Sequence, residues 1–114
     1  MFKSLQEIQT KFNYKFTTDE LKYEQEIIDI FNGIDFKNNN DIIFNMVGLY
    51  HYNITKDYDL MLKYFSMAVD LGNTKAMYNL GMFYQNVMND HVKAEEYFSM
   101  AGIFNCGITL YIDS

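Results

Sequence analysis

The sequence predicts an all-α protein: a short right-handed α/α solenoid of about two 33-residue helix-pair repeats, with an N-terminal helical cap and a short C-terminal helix. The first observation is that the residues YFSMA occur at 64–68 and again at 97–101. The second is that apolar residues recur at helical spacing, while no segment keeps the strict alternation of a strand. A gapless self-match at this period is typical of stacked helix pairs.

The repeat extends well beyond the five-residue block. A shift of 33 residues places Gly48 on Gly81 and Asp57 on Asp90, and apolar residues between them coincide as well. Each unit carries two apolar stripes at i, i+3, i+4 and i+7, so each unit is predicted to form two helices. The residues predicted to form the structural core of the repeat are Gly48, Tyr64, Phe65, Ala68, Leu80, Gly81, Tyr84, Tyr97, Phe98 and Ala101.

One domain is expected at a length of 114 residues. Two repeats bury little apolar surface by stacking alone, so the N-terminal residues are expected to cover the first repeat. The predicted parts are an N-terminal helical pair at 1–38 (a cap or a degenerate repeat), repeat 1 at 39–73, repeat 2 at 74–106, and a partial third repeat or closing helix at 107–114.

The N-terminal pair is predicted from two apolar stripes. The first consists of Leu5, Ile8, Phe12 and Phe16, all on one face of one helix. The second helix is expected to open with a capping box from Thr17 to Glu20 and to end at Asn32 and Gly33. Its apolar residues are Leu21, Ile27, Ile28, Phe31 and Ile34.

Residues that favour helix ends stand at the boundaries within the repeats. Asp57 and Asp90 each precede a second helix, where a carboxylate accepts bonds from free N–H groups. Gly72 stands where a left-handed residue ends a helix. The first helices are expected to be capped by Asn39 or Asn40 in repeat 1 and by Asn73 or Thr74 in repeat 2.

A glycine inside a helix costs about 1 kcal/mol relative to alanine. Gly48 and Gly81 occupy the same position in both units, so they predict a close approach of the second helix. The aromatic residue at each contact is expected to be Tyr64 or Phe65 in repeat 1, and Tyr97 or Phe98 in repeat 2.

These residues resemble the Sel-one-like repeat, a relative of the tetratricopeptide repeat. The matching positions are Ala68, Gly72, Asn73, Ala76, Leu80, Gly81, Tyr84, Asp90, Lys93, Ala94, Tyr97, Phe98 and Ala101. The resemblance covers about residues 41–114 and is looser in repeat 1, where His51 replaces the aromatic residue. The family's Gly-x-Gly loop is absent, which leaves the tetratricopeptide class open. Both classes imply an α/α solenoid that acts as an adaptor or scaffold.

Composition excludes several classes of function. The net charge is −6 and all nine basic residues are lysines, so nucleic-acid binding is not expected. No apolar run is long enough for a membrane span, and no signal peptide is recognised. With Cys106 as the single cysteine, a cytoplasmic protein is expected. The absence of Arg, Pro and Trp is typical of AT-rich genomes, including those of large DNA viruses, for which the location would be the host cytoplasm.

The titratable residues form no pattern that predicts chemistry. His51 and His91 lie forty residues apart, and neither has a Cys, His or Asp cluster beside it. Glu95 and Glu96 are adjacent on a helix and point about 100° apart, so they cannot form a carboxylate pair. We therefore predict no catalytic residue, no metal site and no cofactor, and we expect that the protein is not an enzyme.

The predicted function is a non-catalytic interaction module, an adaptor or scaffold that binds a peptide or protein in a groove lined by the first helices. The alternative is a structural subunit that associates with itself as a homodimer. Groove positions are first-helix residues outside the core stripe. They are Asn45, Leu49, Tyr52, Asn53, Lys75, Tyr78, Met82, Gln85 and Asn86. A mixture of aromatic, methionine and amide side chains suits a peptide ligand.

Overall fold

The computed structural model describes residues 1–34 and 40–102, and this part of the chain contains α-helices and no strand. The predicted all-α class is thus confirmed. The helices are α1 (Leu5–Phe12), α2 (Glu24–Phe31), α3 (Asp41–Tyr50), α4 (Tyr58–Asp70), α5 (Thr74–Asn86) and α6 (His91–Met100). A 3-10 helix (Glu20–Tyr23) precedes α2, and a π-helical turn (His51–Thr55) continues α3. α3 packs mainly on α4, α5 packs mainly on α6, and α4 contacts α5.

The helix starts follow the predicted caps. The side chains of Asp57 and Asp90 accept hydrogen bonds of 3.1 and 3.0 Å from backbone N–H groups in the first turns of α4 and α6. Of the alternatives for the first helices, Asn40 caps α3 and Asn73 caps α5. Gly72 has a φ of +84° and ends α4. Each of these caps is confirmed, since side chains and termini within one turn determine them.

The turns between paired helices also keep the repeat period. Lys56 and Asn89 precede the capping aspartates and both have positive φ, at 59° and 54°. In repeat 1 the chain reaches this turn through the π-helical turn. In repeat 2 the backbone N–H of Met88 donates to the carbonyl of Phe83, which is the same wide spacing of five residues.

The glycines bring the paired helices close together. The ring of Phe65 lies against Gly48, and the ring of Phe98 lies against Gly81. A Cβ added at Gly81 would be 2.5 Å from Cε1 of Phe98, closer than side chains normally approach. The predicted role of the two glycines is confirmed, and of the alternative rings Phe65 and Phe98 make the contact.

The core falls into two clusters that share α3. Leu5, Ile8, Ile27 and Ile28 of the N-terminal helices pack with α3 residues such as Met46. Phe44, on another face of α3, packs instead with α4 and α5. Because residues 43–48 are all buried, α3 has protein on nearly every side. The N-terminal pair therefore belongs to the same fold as the repeats.

The residues predicted to form the repeat core fall into a buried set and a half-buried set. Gly48, Phe65, Ala68, Leu80, Gly81 and Phe98 are buried, whereas Tyr64, Tyr84, Tyr97 and Ala101 are half-buried. Tyr84 and Tyr97 lie parallel with ring centroids 5.6 Å apart. The corresponding rings of His51 and Tyr64 are 6.1 Å apart at an interplanar angle of 19°. His51 thus packs as its alignment with Tyr84 predicts.

The N-terminal pair differs from the prediction in three details. α1 ends at Phe12 with Asn13 in the left-handed conformation, so Phe16 lies beyond the helix, although it is buried. The Thr17–Glu20 capping box is present, but it precedes the 3-10 helix rather than α2. Leu21 and Ile34, predicted among the apolar residues of the second helix, lie outside α2 and are 49% and 48% exposed.

Two further predictions concern other parts of the chain. The closing helix at 107–114 and the turn containing Cys106 lie outside the described residues. Among the helices of the two described ranges, none has the length and apolar character needed to cross a membrane.

Candidate functional site

A groove of about 600 Å³ lies where the segment before α2 meets α3 and α5. Both first helices of the repeats therefore contribute a wall, and the N-terminal pair contributes a third. The groove is lined by Tyr14, Thr17, Asp19, Glu20, Asp41, Ile42, Asn45, Leu49, Gly72, Asn73, Thr74, Lys75, Tyr78, Asn79 and Ala101. Carboxylates, amides and two tyrosines outnumber the aliphatic side chains in this lining, so a ligand would meet hydrogen-bonding groups as well as apolar surface.

The structure brings together four of the nine predicted groove residues. They are Asn45, Leu49, Lys75 and Tyr78. These four lie in the parts of α3 and α5 that the N-terminal segment approaches. Tyr52, Asn53, Met82, Gln85 and Asn86 do not line the groove, because they come later in their helices or in the following turn.

Tyr52 packs against two buried rings rather than lining the groove. Its ring lies 6.5 Å from that of Phe65 and 6.1 Å from that of Phe83, nearly perpendicular to both. It stands four residues after Gly48, and residues four apart share one face of a helix. Tyr52 therefore packs toward the contact between the repeats.

Sequence reasoning missed several residues of the groove, of which Tyr14, Glu20, Asp41, Asn73 and Asn79 are the main polar ones. The spacing of four residues between Lys75 and Asn79 was a signal that could have found Asn79. No local signal brings Tyr14 and Glu20 here, because they arrive through the packing of the N-terminal pair on α3.

Glu20 is a buried carboxylate in the wall of the groove, with only 3% of its surface exposed. It accepts a 2.9 Å hydrogen bond from the backbone N–H of Thr17 and a longer one, 3.5 Å, from the hydroxyl of Tyr14. Burial raises the pKa of Glu20, while these hydrogen bonds and the charge of Lys75 act in the opposite direction. Burial, followed by the charge of Glu20, also raises the pKa of Tyr14.

Two pairs of polar side chains link α3 to α5 across the groove. Nδ2 of Asn73 donates to Oδ2 of Asp41 at 2.8 Å, while its own oxygen caps α5. Nδ2 of Asn79 donates to Oδ1 of Asn45 at 2.9 Å. Side chains from residues more than thirty positions apart thus set the spacing of the two helices.

The described residues outside the groove form no arrangement typical of catalysis. His51 hydrogen-bonds Thr55 at 2.9 Å, and burial lowers its pKa. No group of three or more His, Cys, Asp and Glu side chains in residues 1–34 and 40–102 could hold a metal ion.

A second depression, of about 810 Å³, lies at the N-terminal end around Phe2 and Phe31, away from both repeats.

In comparisons with known proteins, the chain matches no family model, no curated protein and no solved structure.

Proposed function

We propose that the protein is a non-catalytic interaction module that binds a peptide or protein segment in the groove between α3, α5 and the N-terminal segment. The observation that carries the proposal is the composition of this groove. It joins hydrogen-bonding amides such as Asn79 to the ring of Tyr78, which is 39% exposed. Peptides offer hydrogen bonds along the main chain and apolar contacts through side chains, so they suit such a surface.

We also propose that the repeats form a short right-handed α/α solenoid of the Sel-one-like or tetratricopeptide class. The support is that equivalent features recur at the repeat period. Asn40 and Asn73 cap the first helices, Asp57 and Asp90 cap the second helices, and a ring packs on a glycine in both units. In such arrays the first helices line one side, which is where the groove lies. With one cysteine in the sequence, the module would work in a reducing compartment, the cytoplasm.

The experiment is selection of dodecapeptides from a random displayed library on the whole chain, followed by affinity measurements on variants. Lys75→Ala combined with Tyr78→Ala should weaken binding of the selected peptides at least tenfold. The matched control is Gln85→Ala combined with Asn86→Ala, two residues of the same helix outside the groove, and it should bind like wild type. Thermal unfolding checks that both variants fold. Equal binding by both would reject the groove as the site.

Self-association is a second candidate, carried by apolar side chains exposed around the start of α6. Met88 is 56% exposed and Val92 is 74% exposed. Exposed apolar groups that lie together favour contact with another chain. Sedimentation equilibrium over a wide concentration range would detect a dimer, and Met88→Lys with Val92→Lys should dissociate it. A monomer at every concentration would reject this candidate.

A further inference from the structure

The groove contains a pair of amides that leave one NH2 group and one C=O group without a hydrogen bond to the described part of the chain. Asn45 lies on α3 and Asn79 on α5, and one bond of 2.9 Å joins Nδ2 of Asn79 to Oδ1 of Asn45. Asn45 is only 5% exposed. Within residues 1–34 and 40–102, neither Nδ2 of Asn45 nor Oδ1 of Asn79 has a hydrogen-bond partner.

The other buried polar side chains of this part of the chain behave differently. Glu20 accepts from the backbone of Thr17, and Asn73 both caps α5 and donates to Asp41. Buried polar groups in native proteins are nearly always paired, because an unpaired group loses its hydration without compensation. Asn45 lines the groove, so a molecule bound there can pair with its free donor.

The unused groups are the NH2 of Asn45 and the C=O of Asn79. They are the complement of one residue in an extended segment, which presents its N–H and its C=O on the same side of the chain. Turning both amides over exchanges the roles of Asn45 and Asn79 but still leaves one donor and one acceptor. A carboxylate has no donor for the free acceptor, and an ammonium group has no acceptor for the free donor.

We propose that Asn45 and Asn79 bind the main chain of an extended peptide segment. Their free amide groups hydrogen-bond the N–H and the C=O of one residue of the segment. This inference rests on the proposed peptide-binding function and adds the mode of recognition. The segment is extended because a helix uses its interior N–H and C=O groups within itself. Recognition of the main chain leaves the side chains free to vary at this position.

The charges of the groove favour basic side chains elsewhere in the segment. Among the described residues that line the groove, Asp19, Glu20 and Asp41 are anionic and Lys75 is the only cation. The whole chain carries a net charge of −6, so its field acts in the same direction. The ligand that fits is therefore an extended peptide with lysine or arginine beside the position bound by the two asparagines.

The test replaces one peptide bond at a time with an ester in a dodecapeptide selected on the whole chain. The ester removes the N–H donor and weakens the carbonyl acceptor, while the side chains stay the same. All peptides carry acetylated and amidated ends, so no terminal charge contributes, and binding is measured by fluorescence anisotropy. We expect esters at one or two adjacent positions to weaken binding about 3- to 10-fold, the loss typical of a hydrogen bond, and the others to change little.

Protein variants connect this loss to the amide pair. Asn45→Ala and Asn79→Ala should each weaken binding of the parent peptide by a similar factor, and each variant should abolish the further cost of the ester at the backbone group that its asparagine binds. The control is Asn53→Ala, an exposed asparagine outside the groove, which should keep both the affinity and the ester effect. Thermal unfolding checks that all three variants fold.

The failure of this inference is distinguishable from failure of the proposed function. Peptides that bind in the groove, yet tolerate every ester and both asparagine variants, would overturn main-chain recognition and leave the binding function standing. Loss of binding in Asn45→Ala with no sensitive ester would also overturn it. A selection that yields no binding peptide would overturn both proposals.

Discussion

Replacing Gly81 with alanine tests the close contact between α5 and α6. The new Cβ would lie 2.5 Å from Cε1, 2.6 Å from Cδ1 and 3.0 Å from Cζ of Phe98. All three atoms belong to one rigid ring that is 1% exposed, so the ring cannot turn away into solvent. Either the ring or the whole of α6 has to shift.

Two opposing effects set the change in the free energy of unfolding that Gly81→Ala causes. Alanine has the higher helix propensity, which favours the variant by about 1 kcal/mol. Overpacking a well-packed core costs about 1–3 kcal/mol. Because the clash involves three atoms of a buried ring, we expect a cost near the upper end and a net loss of about 2 kcal/mol in the free energy of unfolding.

The assay is urea unfolding followed by circular dichroism, applied as a double-mutant cycle with Phe98→Leu. Leucine removes the outer ring atoms, so Gly81→Ala should cost clearly less in that background than in the wild-type chain. Gly48→Ala, which meets Phe65 in the other repeat, should behave in the same way. A Gly81→Ala variant as stable as wild type, with no coupling to Phe98, would refute the close packing of α5 on α6.

Three more predictions concern single side chains. Phe98→Ala should lose about 3–5 kcal/mol of stability, because it empties a buried site; urea unfolding like wild type would contradict this burial. Asp90→Ala should lose about 1 kcal/mol in the same assay and Asp90→Asn less, because an amide oxygen still caps α6; equal losses would mean that the carboxylate has another role. Burial raises the pKa of Glu20, so its favourable contribution is present in acid and is lost as pH rises above about 4.5. Glu20→Gln should therefore gain stability relative to wild type from below pH 4.5 to neutral pH in urea titrations, and a constant difference would contradict the raised pKa.

The groove residues show which positions helical spacing can predict and which it cannot. The sequence placed Asn45 and Tyr78 outside the core stripe, and both line the groove, since position along a helix determines which face a side chain occupies. It also assigned Gln85 and Asn86 to the groove, because helical spacing alone cannot say how far along α5 the groove extends. That limit is set by the N-terminal segment, which approaches only the part of α5 around Lys75 and Tyr78.

The sequence by itself determined the helices, their caps at Asp57 and Asp90, and the glycine contacts of each pair. These depend on residues within one turn or on a repeated pattern, so they can be recognised without a structure. Only the tertiary structure decided which side chains share the groove. Glu20 and Asn79 lie there together, and Asn45 meets Asn79 across 34 positions of sequence. Such contacts depend on how the N-terminal pair, α3 and α5 pack in space, and no local spacing encodes that packing.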